Sequence, residues 1–207
     1  MDEKEIEALF TRSDGSYCFA RWGRPVAPVV FGVLDETLAV IKGALEAVMV
    51  LSGHEMAETD PELGSNLMVF FFRDWDELSE VAGLDRLILE LPALLEKLKS
   101  LDANQYRVFH FDEAGAIKAC FVFLRMDEEL SAVPAETLAL SQIVQSVLLW
   151  SDQAFRSRSP LVVVKDRTIL RPEIAGLIRA AYDPVLPVCA ADASHALRLA
   201  ARMTAAQ

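Results

Sequence analysis

The side chains best suited to chemistry lie in one stretch, Ala135 to Asp152, where Ser141, Gln142 and Gln145 recur at helical spacing and Asp152 follows. At about 100° per residue these four share roughly one third of a helix circumference, and Leu140, Ile143, Val144, Val147, Leu148 and Trp150 take the opposite side. Between Glu136 and Asp152 no residue is charged, although 25% of the chain is Asp, Glu, Lys or Arg. Solvated faces carry Lys and Glu, so a stripe of hydroxyl and carboxamide groups predicts a face turned into a cleft, each group with a partner. Such groups bind well and catalyse poorly, because near neutral pH they supply neither a general base nor a strong metal ligand.

The other candidates are scattered. His110 falls in a predicted strand on the same side of the alternation as Val108 and Asp112, where it reads as a cross-strand polar partner or as a base for the cleft. His54-Glu55 does not open a His-Glu-x-x-His pattern, because position 58 is Glu58. The loop holding His54, Glu55, Glu58, Asp60 and Glu62 has the polar density to hold a cation and equally describes a solvated loop. His195 stands at the start of the last predicted helix, as a capping or surface residue. Ser141 and His110 make a poor nucleophile and base, since no glycine-flanked turn presents the hydroxyl. Cys18, Cys120 and Cys189 are odd in number and widely spaced, which fits neither a disulfide framework nor a zinc finger. Cys120, inside Ala119-Cys120-Phe121-Val122-Phe123, reads as a small buried hydrophobe. No phosphate-cradling glycine loop is present.

The elements that must position these residues alternate. Tyr17 to Trp22 and Pro28 to Val33 read as short strands, Asp35 to Gly53 as a helix with Leu38, Ile41, Leu45 and Val48 on one side, and Leu67 to Phe72 as a strand. Asp74 and Glu77 form a capping pair for a short helix, and Leu84 to Leu101 reads as two helical segments around Pro92. Gln105 to Asp112 and Ile117 to Met126 make a hairpin around Gly115. After the Ala135 to Asp152 helix come a strand at Leu161 to Val164, a helix from Pro172 to Asp183 and a last helix from Ser194 to Met203. The expected fold class is α+β: an acidic, frayed lead-in over 1–16, then a single domain over 17–207 with a mixed sheet covered by helices and a helical C-terminal part.

At 207 residues the chain suits one domain with a substantial core. Although 53% is hydrophobic, no apolar run approaches the roughly 18 to 20 residues a membrane span needs. The first residues, Met1-Asp2-Glu3-Lys4-Glu5, are acidic where a secretory leader is basic, so the expected compartment is the cytoplasm. A net charge of −11 argues against nucleic acid and anionic lipid as partners, and Arg156, Arg158, Lys165 and Arg167 are too dispersed to reverse that.

Strand, helix, further strands and then a central helix is an order that resembles the zincin-type metallopeptidases, whose central helix carries His-Glu-x-x-His. Here the same frame reads Ser141-Gln142-Ile143-Val144-Gln145, with Ser151-Asp152 where a third ligand would follow. The chain also resembles a family of bacterial proteins of unassigned function, often exported, whose equivalent helix carries two glutamates and a glutamine and ends in Asn-Asp. Gln145 and Asp152 match that pattern, Ser141 and Gln142 depart from the glutamates, and Tyr182-Asp183-Pro184 matches a later stretch. The resemblance implies a zincin-like shell without metal or cofactor. The leading expectation is therefore a non-catalytic domain that binds a protein or small-molecule partner through the cleft beside the 137–150 helix, at Ser141, Gln142, Gln145, Asp152 and His110. The alternatives are a metal-dependent, peptidase-like hydrolase using His54, His110 and nearby carboxylates, and a structural homo-oligomer joined through exposed apolar residues.

Overall fold

The computed structural model describes residues 1–205, which open with a helix where a frayed lead-in was expected. Asp2 and Glu5 form a capping box at the start of α1 (Glu3–Phe10), and Ile6 and Phe10, four apart on one side, are wholly buried in the main core. The segment is held by apolar burial, so its acidic composition does not release it. A two-residue strand β1 (Phe19–Ala20) follows, then β2 (Pro28–Phe31) and the long helix α2 (Asp35–Ser52), closed by Gly53 in the left-handed conformation.

Strand β3 (Leu67–Phe72) leads into a 3₁₀ turn at Trp75–Glu80, capped by Asp74 and Glu77 as expected, and into α3 (Leu84–Leu87) and α4 (Leu91–Ser100). The hairpin β4 (Gln105–Phe111) and β5 (Ile117–Arg125) comes next, then a short α5 (Glu128–Ser131) and the helix α6 (Ala135–Val147). A second hairpin, β6 (Leu161–Val164) and β7 (Arg167–Leu170), precedes α7 (Pro172–Ala181), β8 (Cys189–Ala190) and α8 (Ser194–Ala205).

The central sheet runs β2-β3-β5-β4, with β2, β3 and β5 parallel and β4 antiparallel at one edge. Both faces are covered, which explains why β5 reads as a continuous apolar run: Cys120, Val122 and Leu124 face one core, and Ala119, Phe121 and Phe123 the other. The first core holds α2, α6, α7 and residues of α1 and α8. The second is built from Trp75, Leu78, Leu84, Ile88, Leu91 and Leu98 of the segment between β3 and β4. This is an α+β fold with a mixed sheet. Among the described residues, no helix is long and apolar enough to cross a membrane.

Candidate functional site

Helix α6 is shorter than its periodicity suggests. It ends at Val147, and Leu148 is extended (φ −135°, ψ 157°), so Trp150 and Asp152 lie beyond the helix. The chain leaves because it is captured by β1: the Leu149 amide donates to the Ala20 carbonyl at 2.9 Å, and Leu148 bridges Arg21. Side chains then satisfy the last carbonyls of the helix. The indoles of Trp150 and Trp22 donate to Val144 and Ser146, each at 2.9 Å, and the Tyr182 hydroxyl donates to Val147 at 2.7 Å. Tyr182, the first residue of the Tyr-Asp-Pro stretch, therefore acts as a buried cap on α6.

Of the polar side chains of α6, Gln145 lines a cleft, and Ser141 and Gln142 do not. Gln142 is buried, and its carboxamide lies between two residues of β4: Arg107 Nη2 donates to its Oε1, and its Nε2 donates to Gln105 Oε1 at 3.2 Å. Gln145 Nε2 donates to the Ser141 hydroxyl at 3.0 Å, so positions 141 and 145 share one face. Asp152 sits on the rim, where its Oδ1 accepts from the Ser13 amide at 2.9 Å and its Oδ2 from the Gln153 side chain at 2.8 Å. Those bonds, the Ser13 contacts foremost, hold its carboxyl down at about 2.

Between these elements is a cavity of about 420 Å³, bounded by Arg12 to Asp14, Tyr106, Arg107 and Phe109 of β4, Gln145, and the loop from Leu149 to Phe155. Arg107 dominates it. Burial lowers its pKa from 12.5 to about 10, still far above neutrality, so the guanidinium is charged. No carboxylate approaches it closely enough to form an ion pair among the described residues, and its Nε is sealed from solvent without a partner. Cys120, behind it on β5, is no counter-ion, because burial pushes its thiol up to about 12. Phe155 closes one side with φ +64°, a strained conformation for a bulky residue, edge-on to Trp150 at 4.9 Å.

His110 does not join the cleft. Strand alternation turns Gln105, Arg107 and Phe109 toward α6, and Val108 and His110 toward α4 on the other side of the sheet, while Tyr106 borders the cavities on both sides. His110 packs on Phe121 at 5.2 Å and borders a separate groove with Leu89, Glu90 and Lys97. His54 is on the first side, its Nε2 within 2.8 Å of the Arg24 carbonyl and its ring 5.0 Å from Tyr182, so the sheet separates the two histidines. His195, expected at a surface or cap, is 3% exposed, with Nδ1 3.1 Å from the Tyr17 hydroxyl. Among the described residues, no group of three or more His, Cys, Asp or Glu side chains is placed to hold a metal ion.

Sequence reasoning missed Arg107, Phe109 and Phe155. The signal for Arg107 was present: in an alternating strand it shares parity with Gln105 and Phe109, which puts a charge on a face that packs under a helix. No family model, curated protein or solved structure matches the chain.

Proposed function

We propose that the protein is a non-catalytic binding domain of zincin-like descent, taking a small-molecule ligand into the cleft between β4 and the C-terminal half of α6. The observation that carries this reading is Arg107, a charged guanidinium held under a helix by the carboxamide of Gln142, which Gln105 in turn orients, with no carboxylate partner and with a cavity of about 420 Å³ beside it. An uncompensated buried charge costs stability, and a domain that keeps one beside a concave, aromatic-walled cavity uses it to orient a ligand. The cavity has the volume of a metabolite, which favours a small molecule over a protein surface.

Zincin-like descent is supported by the order of elements leading to α6 and by Ser141 and Gln145 sharing a face as ligands four apart would. The neutral side chains on that face support binding over hydrolysis, and so does the separation of His54 from His110.

A thermal-shift screen of chemically diverse small molecules on the wild type and on Arg107→Met tests the reading. A ligand at a hundred times its Kd adds about 2.7 kcal/mol, which at about 2 to 4 °C per kcal/mol raises Tm by about 5 to 10 °C. Compounds that stabilise the wild type alone support the cleft; stabilisation of both proteins equally, or of neither, counts against it.

A further inference from the structure

The charge balance and walls of the cleft narrow the ligand. Among the described residues, Arg107 is the one cation at its floor. At the rim, Arg12 stands with Asp14 and Asp152, and both carboxylates are committed to the loop itself: Asp14 accepts from the Ser16 amide at 2.8 Å and its hydroxyl at 2.6 Å, and Asp152 from Ser13 and Gln153. The rim therefore carries a net charge of −1 and the whole cleft is neutral. A dianion such as a phosphate ester would meet one guanidinium and a negative rim, while a single carboxylate matches the floor and can fork onto the guanidinium edge.

The remaining wall is largely aromatic, with Tyr106 and Ser151 among its polar members. Phe109, Leu149, Trp150 and Phe155 face the cavity, and Trp150 is itself held rigid by stacking on Phe10, with ring centroids 5.3 Å apart and planes 9° from parallel. Rigid aromatic walls favour a planar body over a flexible chain. Gln145 adds one carboxamide at the side for orientation.

Resting on the cleft as the binding site, we propose that its ligand is a monocarboxylate with a planar apolar body, the carboxylate paired with Arg107 and the ring against Trp150 and Phe155. The pairing gives a partly buried guanidinium that has no counter-ion a neutral ion pair, so binding relieves a cost that the free protein carries.

The experiment is an NMR titration of the full chain with benzoate, indole-3-acetate, benzamide and phenyl phosphate, following the side-chain amides of Gln105, Gln142 and Gln145. The two carboxylates are expected to shift these signals saturably, with benzamide at least about tenfold weaker, as loss of a charge-assisted pair requires. Arg107→Gln removes the preference for carboxylate, and Arg107→Lys, which keeps the charge without the fork, retains part of it; the spectra themselves report whether each variant is folded.

Benzamide binding as tightly as benzoate, phenyl phosphate binding more tightly, or a preference surviving in folded Arg107→Gln overturns the ligand class and leaves the cleft as a binding site. No saturable shift from any of the four probes overturns the class and the cleft together.

Discussion

Replacing Arg107 by methionine should make the protein more stable, which is the reverse of what most buried substitutions do. The guanidinium is charged and lacks a carboxylate partner, and burial lowers its pKa from 12.5 to about 10. At about 1.36 kcal/mol per pH unit, that fall corresponds to a cost to the charged form on the order of 3 kcal/mol. Solvent reaching the open side of the cleft offsets part of it, and Gln142 loses a donor on substitution, worth about 1 kcal/mol. Methionine retains an unbranched stem of similar length to fill the space beside Phe109. The net expectation is a gain of about 1 to 2 kcal/mol, comparable to what is seen when buried ion pairs give way to apolar residues. Urea unfolding at pH 7 reads this as a midpoint higher by about 0.5 M at unchanged slope, and a thermal scan as a rise of about 3 to 6 °C. A loss of 1 kcal/mol or more would refute the reasoning, because Arg107 would then be a satisfied structural residue.

Three further outcomes follow from particular contacts. His195 is 3% exposed and burial lowers its pKa from 6.5 to about 4, so the unfolded chain takes up a proton that the native protein refuses as pH falls through that window. Its stabilisation is complete above pH 6.5 and lost toward pH 4, so the urea midpoints of wild type and His195→Gln should converge by the equivalent of about 3 kcal/mol between pH 7 and 4; parallel profiles would count against the buried neutral state. Gly32 has φ +81° and an added Cβ would lie 2.2 Å from the Phe71 carbonyl oxygen, so Gly32→Ala should cost at least about 2 kcal/mol by urea unfolding. Combining Ser141→His, Gln142→Glu and Gln145→His should create zinc affinity that survives dialysis against a weak chelator, measured by metal analysis; a folded triple variant free of zinc would argue against zincin-like descent.

Much of the fold was legible because apolar periodicity and turn chemistry agree with the tertiary structure. The alternation and the glycine at position 115 place the β4–β5 hairpin, and Gly53 stops α2 where expected. What was missed lacks those signals. The turn between β6 and β7 uses Lys165 and Asp166, both at positive φ, in place of the Asn-Gly type of pair that marks a tight hairpin, so β7 was not read as a strand. The end of α6 was set by a contact distant in sequence, the pairing of Leu148 and Leu149 with β1, to which local propensity is blind.

The candidate site divides in the same way. The helix pattern leads to Gln145 at the cavity but not to Ser141 and Gln142, which lie off its wall, and Asp152 reaches the rim through the loop after α6. Arg107 required strand parity to be applied to a charged residue, and His110 was assigned to the cleft because that parity was not carried across the sheet. Phe155 could not be found, since its role depends on a strained backbone that no sequence pattern announces.

The most direct test of the account is isothermal titration of indole-3-acetate into the wild type and Arg107→Met at pH 7. A single saturable site per chain, weakened at least about tenfold by the substitution while the variant remains folded and more stable, is the predicted result. Equal binding to the two proteins, or no heat from either, would contradict it.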